Sequence, residues 1–299
     1  MKYRTDLAIE NMEQYDEARN DAGNNIGNID GVILDKKEYD EDIVATRIQI
    51  TNPNGEASLG KPMGNYITLE INGILEEKDH IKERSAKALA EELKKMMKFH
   101  YNFKALVVGL GNEKVTPDSL GPFALSKVKI TSHLFRIFQC DGDDQYGNIC
   151  GIAPGVTGTT GIETAELIEK VVALSKPEVV VVIDSLAAKN IDRVSTTIQI
   201  CDTGISPGAG MGNNRKQLNK ETLGVKVIAI GVPTVIDSKT LIIDALSESQ
   251  FDEEQIEKYL GGKDFEMIVT STDIDLIIKE FSDIIANGIN ITVHPGIYS

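Results

Sequence analysis

Cysteine is scarce. Cys140, Cys150 and Cys201 are the three in a chain of 299 residues, and none stands in a Cys-x-x-Cys pair. An odd, sparse set fits a reducing compartment and not a disulfide framework. No run of 18 apolar residues occurs, so no membrane span is expected. The opening Met1-Lys2-Tyr3-Arg4-Thr5-Asp6 lacks the apolar stretch of a secretory signal. A cytoplasmic protein is the expectation. Positive charge is also in short supply, with 31 Lys and Arg against 46 Asp and Glu and a formal net charge of −15. A surface that grips nucleic acid by its phosphates needs clustered Lys and Arg, so direct nucleic-acid binding is not expected. The acidity serves solubility first, and suits basic or neutral substrates.

Several chemistries lack their residues. There is no Gly-x-Ser-x-Gly elbow for a serine hydrolase. His80, His100, His133 and His294 make no paired spacing for a metal, so no metal and no cofactor is expected. Cys201 stands beside Asp202, but no His is tied to it by sequence. The stretch from Gly204 to Lys216 is rich in glycine, including Gly208 and Gly210, and ends in Arg215-Lys216. It lacks both the Walker and the Gly-x-Gly-x-x-Gly spacings, so a nucleotide- or phosphate-binding module is the lesser reading. A loop that faces substrate or walls an active site is preferred.

What is present is an ordinary globular composition, 41% hydrophobic and 26% charged. The length allows one large domain or two modest ones. Residues 1–30 are polar and read as a mobile arm or a loosely packed segment. Residues 31–75 read as a β-rich excursion, with short strands at 32–34, 43–50 and 66–71 and a turn at Thr51-Asn52-Pro53-Asn54-Gly55. A separate small N-terminal lobe is the alternative. A helix is predicted over 79–99 from Ala86, Leu89, Ala90, Leu93 and Met97. Continuous apolar runs at 105–110, 178–184 and 225–231 read as buried parallel strands, with a further strand at 196–200. Helices are predicted at 161–175, 240–247 and 273–287. Strands alternating with helices make the fold class α/β, a mostly parallel central sheet flanked by helices.

Ligands in such a sheet gather beyond the carboxyl ends of the strands. Two acids fall there. Asp118 lies in the loop after the strand 105–110, and Asp184 closes the strand 178–183. Two carboxylates in one desolvated cleft push their proton affinities apart, so that one stays protonated while the other ionises. That arrangement activates water against a peptide carbonyl. The alternative is that each acid caps the helix that follows it. Asp202-Thr203-Gly204 matches the triplet of pepsin-like proteases, but those are all-β. Asp202 is read instead as a turn residue or as an acid supporting the site.

The ordered motifs resemble the germination protease family of spore-forming bacteria. They are Val107-Val108-Gly109-Leu110-Gly111-Asn112, Val115-Thr116-Pro117-Asp118, Leu120-Gly121-Pro122, Ala153-Pro154-Gly155-Val156, Gly161-Ile162-Glu163-Thr164 and Ile183-Asp184-Ser185-Leu186-Ala187-Ala188. Arg193 to Ile200, Asp202 to Lys216 and Ile228 to Val235 continue the match. The resemblance implies an endopeptidase made as an inactive precursor and assembled as a homotetramer in the spore core. It implies removal of its own N-terminal propeptide and cleavage of small acid-soluble spore proteins after an acid. Thr5-Asp6-Leu7-Ala8 is similar to that cleavage context, so the implied processing bond is Asp6–Leu7. Residues 1–6 are then the propeptide and 7–299 one peptidase domain. The implied catalytic pair is Asp118 and Asp184, with Asp202, Gly208, Gly210 and Arg215 as supporting or substrate-loop residues. The fold is expected to be similar to that of the hydrogenase-maturation peptidases, whose acids at the corresponding loops work with a metal. A metal-dependent peptidase of that type is the alternative mechanism, and the lack of a metal-ligand pattern favours the acid pair. The segment 244–265 looks short for the family.

Overall fold

In the computed structural model the described residues are 5–21, 29–76, 78–208, 215–246 and 267–297. The first departure from expectation is at the start. Residues 5–21 are not a mobile arm. Thr5 to Leu7 have no regular secondary structure, and α1 runs over Ala8–Asp21. Leu7, Ala8 and Ile9 are buried against the sheet, which a polar composition does not announce.

Three strands follow: β1 (Val32–Glu38), β2 (Ile43–Ile50) and β3 (Gly64–Ile71). The expected turn at 51–55 is instead the start of a short helix, α2 (Pro53–Leu59). Asn52 caps it, its side chain accepting the Gly55 amide, and Pro53 sits where a missing amide hydrogen costs nothing. Next come α3 (Ile81–Met96), β4 (Lys104–Gly109), α4 (Leu120–Lys127), α5 (Ser132–Phe138) and β5 (Asn148–Ile152). The chain continues through α6 (Thr157–Thr160), α7 (Thr164–Ser175), β6 (Val179–Ala188), β7 (Thr197–Cys201) and α8 (Lys220–Leu223). It ends with β8 (Lys226–Asp237), α9 (Ser238–Leu246), β9 (Ile268–Thr270) and α10 (Ile274–Val293).

The strands form one sheet in the order β1-β2-β3-β7-β8-β6-β4-β5, with β9 added to β8. The run β8-β6-β4-β5 is parallel, and β1-β2-β3-β7-β8 is antiparallel. The β-rich stretch near the N-terminus therefore extends the same sheet through the β3–β7 pairing. On one face, α3, α4 and α10 pack against Val107, Val181, Ile183, Ile228 and Ile230. On the other, α7 and α8 cover Leu106, Val108, Val180, Val182 and Val227. The Leu7–Ile9 segment covers Leu186, Ala188, Cys201 and Ala229 on that second face. Among the described residues no helix is long and apolar enough to cross a membrane.

Two strands run further than their apolar cores predict. β6 does not stop at Asp184 but continues to Ala188, and β8 continues to Asp237. They sustain each other through Ser185↔Val232 and on to Ala188↔Ile236. β4, by contrast, leaves β6 at the Gly109↔Ile183 pair. Beyond Ile183, β6 thus runs on without β4, and a cavity lined by Asp118 and Asp184 forms at this overrun.

Candidate active site

Asp118 is set by close backbone contacts. Gly111 has φ +107°, a left-handed conformation costly for other residues, and a Cβ there would lie 2.0 Å from the Asp118 carbonyl oxygen. Gly121, in the first turn of α4, lies so near the sheet that a Cβ would come within 2.6 Å of the Ile183 carbonyl oxygen. These approaches press the turn at Thr116–Asp118 onto the end of β6. Thr234 of β8 pins it, donating its hydroxyl to the Pro117 carbonyl at 2.7 Å.

Asp118 does not cap α4. Its Oδ2 accepts the Asn112 amide at 2.9 Å, back across its own loop. Nor does Asp184 cap a helix, since it lies inside β6, with Oδ1 accepting the Ser185 amide at 2.9 Å. Both acids line one cavity of about 300 Å³, with Ser185, Leu186, Ala187, Thr234 and Gly208. Asp184 is 6% exposed. Burial first, then the nearby charges of Asp118 and Asp6, hold its carboxyl well above the usual carboxylate range. Burial also raises Asp118, against the pull of the Asn112 amide.

The cavity contains a third acid, from the N-terminal segment. Asp6 lines it, and pairs with the β6 overrun. Its amide donates to the Ala187 carbonyl at 3.0 Å, and its Oδ2 accepts the Ala187 amide at 2.9 Å. One backbone bond and one side-chain bond thus hold Asp6 on the stretch of β6 that β4 has left. Neighbouring groups continue the grip. Leu7 is fully buried, which is worth about 1.5–3 kcal/mol for such a side chain. Glu10 is buried too, its carboxylate accepting the amides of Lys189 at 2.8 Å and Asn190 at 2.9 Å and the Thr5 hydroxyl. Burial raises the Glu10 carboxyl despite these donors.

Asp6 also lines a second, larger cavity of about 550 Å³, together with Lys61, Gln199, Tyr66 and Asp202. There the Asp6 carbonyl oxygen accepts from Lys61 Nζ and from Gln199 Nε2, each at 2.9 Å. Gln199 Oε1 accepts the Ala8 amide at 2.6 Å. Burial pushes the Lys61 ammonium down, opposed by the charges of Asp6, Cys201 and Glu10. Sequence reasoning missed both residues. A Gln amid strand residues and a Lys after a glycine carry no signal until the N-terminal segment is laid over them.

Asp202 is a strap. Its Oδ1 accepts the Asn65 amide at 2.8 Å and its Oδ2 the Asn65 side chain at 2.7 Å, tying β3 to the end of β7. With the Tyr66 hydroxyl donating to the Pro62 carbonyl at 2.8 Å, it fixes the loop that carries Lys61. Gly208 faces the acid cavity. Arg215 lies 3.7 Å from Glu163 in an ion pair, away from the acids' cavity. Gly210 lies outside the described residues, as does the segment 247–266, which holds most of the stretch expected to be short. Cys201 is buried, its thiol pushed up by burial and directed at the Gly204 carbonyl, which makes a poor nucleophile. Among the described residues, no three or more His, Cys, Asp or Glu side chains gather as a metal site.

Sequence comparison with known proteins finds relatives along nearly the whole chain. A family model described as germination protease matches residues 8–249. A germination protease of Clostridium tetani is 42% identical over 321 aligned positions, spanning 99% of this chain and 97% of the relative. One from Clostridium perfringens is 40% identical, spanning 98% and 95%. One from Bacillus pumilus is 35% identical, spanning 98% and 94%.

Proposed function

This chain belongs to the germination protease family, and on that premise we propose that it is an endopeptidase using Asp118 and Asp184 as a proton-sharing pair, first on its own Asp6–Leu7 bond. It is a peptidase of spore germination by family. The finer reading is a precursor that removes Met1–Asp6 from itself. It then works as a homotetramer in the cytoplasm of the spore core, and its substrates are small acid-soluble spore proteins cut after an acid.

One observation carries this reading: Asp118, Asp184 and Asp6 line a single cavity, with Asp6 held on the β6 overrun by its amide and its carboxylate. Asp184, the more deeply buried, holds the proton. Asp118, raised by burial but less strongly than Asp184 and bonded to the Asn112 amide, is the ionised partner that takes a proton from water. The exposed apolar side chains of Leu134, Ile137 and Phe138 on α5 offer a surface for self-association.

The test is the intact mass of the protein incubated from neutral to mildly acidic pH, beside the Asp184→Asn protein. Loss of Met1–Asp6 from the wild type alone is the expected result. Equal trimming in both proteins would refute the acid pair.

A further inference from the structure

We propose that Lys61 and Gln199 form the oxyanion site of this peptidase, converging on the carbonyl oxygen of the bond to be cut. The assignment rests on the reading of Asp6–Leu7 as the processing bond. The Asp6 carbonyl belongs to that bond, and its oxygen receives Lys61 Nζ and Gln199 Nε2, each at 2.9 Å. Two converging side-chain donors, one of them cationic, polarise a carbonyl far more than the single backbone partner it has in a strand.

The two donors are built in. Gln199 sits on β7 between β3 and β8, facing Thr68 and Gly231 in their registers. Both ends of its amide are engaged, Nε2 on the Asp6 carbonyl and Oε1 on the Ala8 amide, which fixes its orientation. Lys61 follows α2 in a loop held by the Tyr66–Pro62 and Asp202–Asn65 bonds. Placing an ammonium where burial disfavours its charge costs free energy, and a surface tether needs no such placement. Donors held in place by their surroundings need no reorganisation as negative charge develops on oxygen.

The acids and the donors meet Asp6 from different cavities, since Asp6 lines both. This division sets the proton path. Water attacks the Asp6 carbonyl carbon and gives one proton to the ionised carboxylate of the pair. The C=O electron pair moves onto oxygen, where Lys61 and Gln199 hold it. Collapse re-forms the carbonyl and breaks the C–N bond. The protonated carboxyl gives its proton to the Leu7 nitrogen, leaving the Asp6 acid and the Leu7 amine. With a cation on the oxygen, the pair has no need to protonate it and keeps its proton for the leaving nitrogen.

The experiment follows self-trimming of the full chain by intact mass, in wild type, Lys61→Met, Lys61→Arg and Gln199→Leu. Hydrogen exchange of the Leu7 and Ala8 amides runs in parallel and reports whether the segment is still seated. Loss of one oxyanion donor slows such reactions by about 10²–10³-fold. A Lys61→Met protein slowed to that degree with Leu7 and Ala8 still protected, and partly restored in Lys61→Arg, supports the proposal. Trimming at the wild-type rate in Lys61→Met overturns it. Slow trimming with the segment released also overturns it, since Lys61 is then only a tether. Trimming that persists in Asp184→Asn refutes the acid-pair reading instead, and leaves the donors to be judged by their own variants.

Discussion

The Asp6 side chain and the Ala187 amide form a hydrogen bond of 2.9 Å, so the β6 overrun reads an acid with its backbone. A hydrogen bond to a charged group is worth about 1.5–3 kcal/mol. Asp6→Ala should therefore slow trimming by about 10–100-fold. Asp6→Asn, whose side-chain oxygen still accepts the amide, should lie between. Time-resolved intact mass gives both rates, and an Asp6→Ala protein as fast as the wild type would remove this contact from recognition.

Asp118→Asn and Asp184→Asn should each lower the trimming rate by about 10²–10⁴-fold, the range of a positioned proton donor or acceptor. Neither should release the N-terminal segment, because Leu7 and Glu10 are anchored independently of the pair. The check is the single-turnover rate together with protection of residues 7–10 from exchange.

Asp184 gives a signed pH dependence. Its folded-state carboxyl lies above the usual value because of burial, Asp118 and Asp6. The folded chain thus binds a proton that the unfolded chain releases. Stability falls as pH rises from the ordinary carboxylate value through the raised one. Trimming falls only as pH passes the raised value, where folded Asp184 gives up its proton. Asp184→Asn cannot ionise, so its melting temperature should exceed that of the wild type at neutral pH. The difference should shrink toward pH ~4, where an ordinary Asp regains its proton. Melting curves across that range decide the sign.

Away from the site, the buried carboxylate of Glu92 is bonded to Arg47 at 2.7 and 3.0 Å, to Lys95 at 2.9 Å and to the Tyr39 hydroxyl. Burial opposes its charge, but these partners prevail and hold the carboxyl down to about 2. Arg47→Met should destabilise the fold by about 3 kcal/mol at neutral pH, because it strips a buried charge of its bidentate partner. The stability that the network contributes is present above the ordinary Glu value and is lost as pH falls through about 2. Urea melts of both proteins at neutral and acid pH measure it.

The parallel strands at 105–110, 178–184 and 225–231 were legible because strands covered on both faces are continuously apolar. Asp118 and Asp184 were legible as acids following such strands. The far ends of β6 and β8 were not, since Asp184-Ser185 breaks the apolar run and only the pairing across to β8 sustains the strand. β5 was not, because Asn148-Ile149-Cys150-Gly151-Ile152 is short and carries a glycine. The seated N-terminus was the larger omission. Its anchor is three apolar residues, Leu7, Ala8 and Ile9, inside a polar stretch. The same omission hid Gln199. Ile198 and Ile200 mark one face of β7, but Thr197, Gln199 and Cys201 are buried as well, and residues distant in sequence help to cover them.

The burial of Leu7 has a consequence for the fate of the two ends. A cut after Asp6 frees the Met1–Asp6 fragment from its covalent tie, while Leu7 stays packed in the core of the molecule that made the cut. One product can diffuse away and the other cannot, so religation would require recapture of a dilute peptide. The step behaves as a ratchet. It also leaves an α-amino group beside the acids, ionising near pH 8 in an unperturbed chain, where the uncut molecule holds a neutral amide. The processed protein would carry its own history as a positive charge among carboxylates.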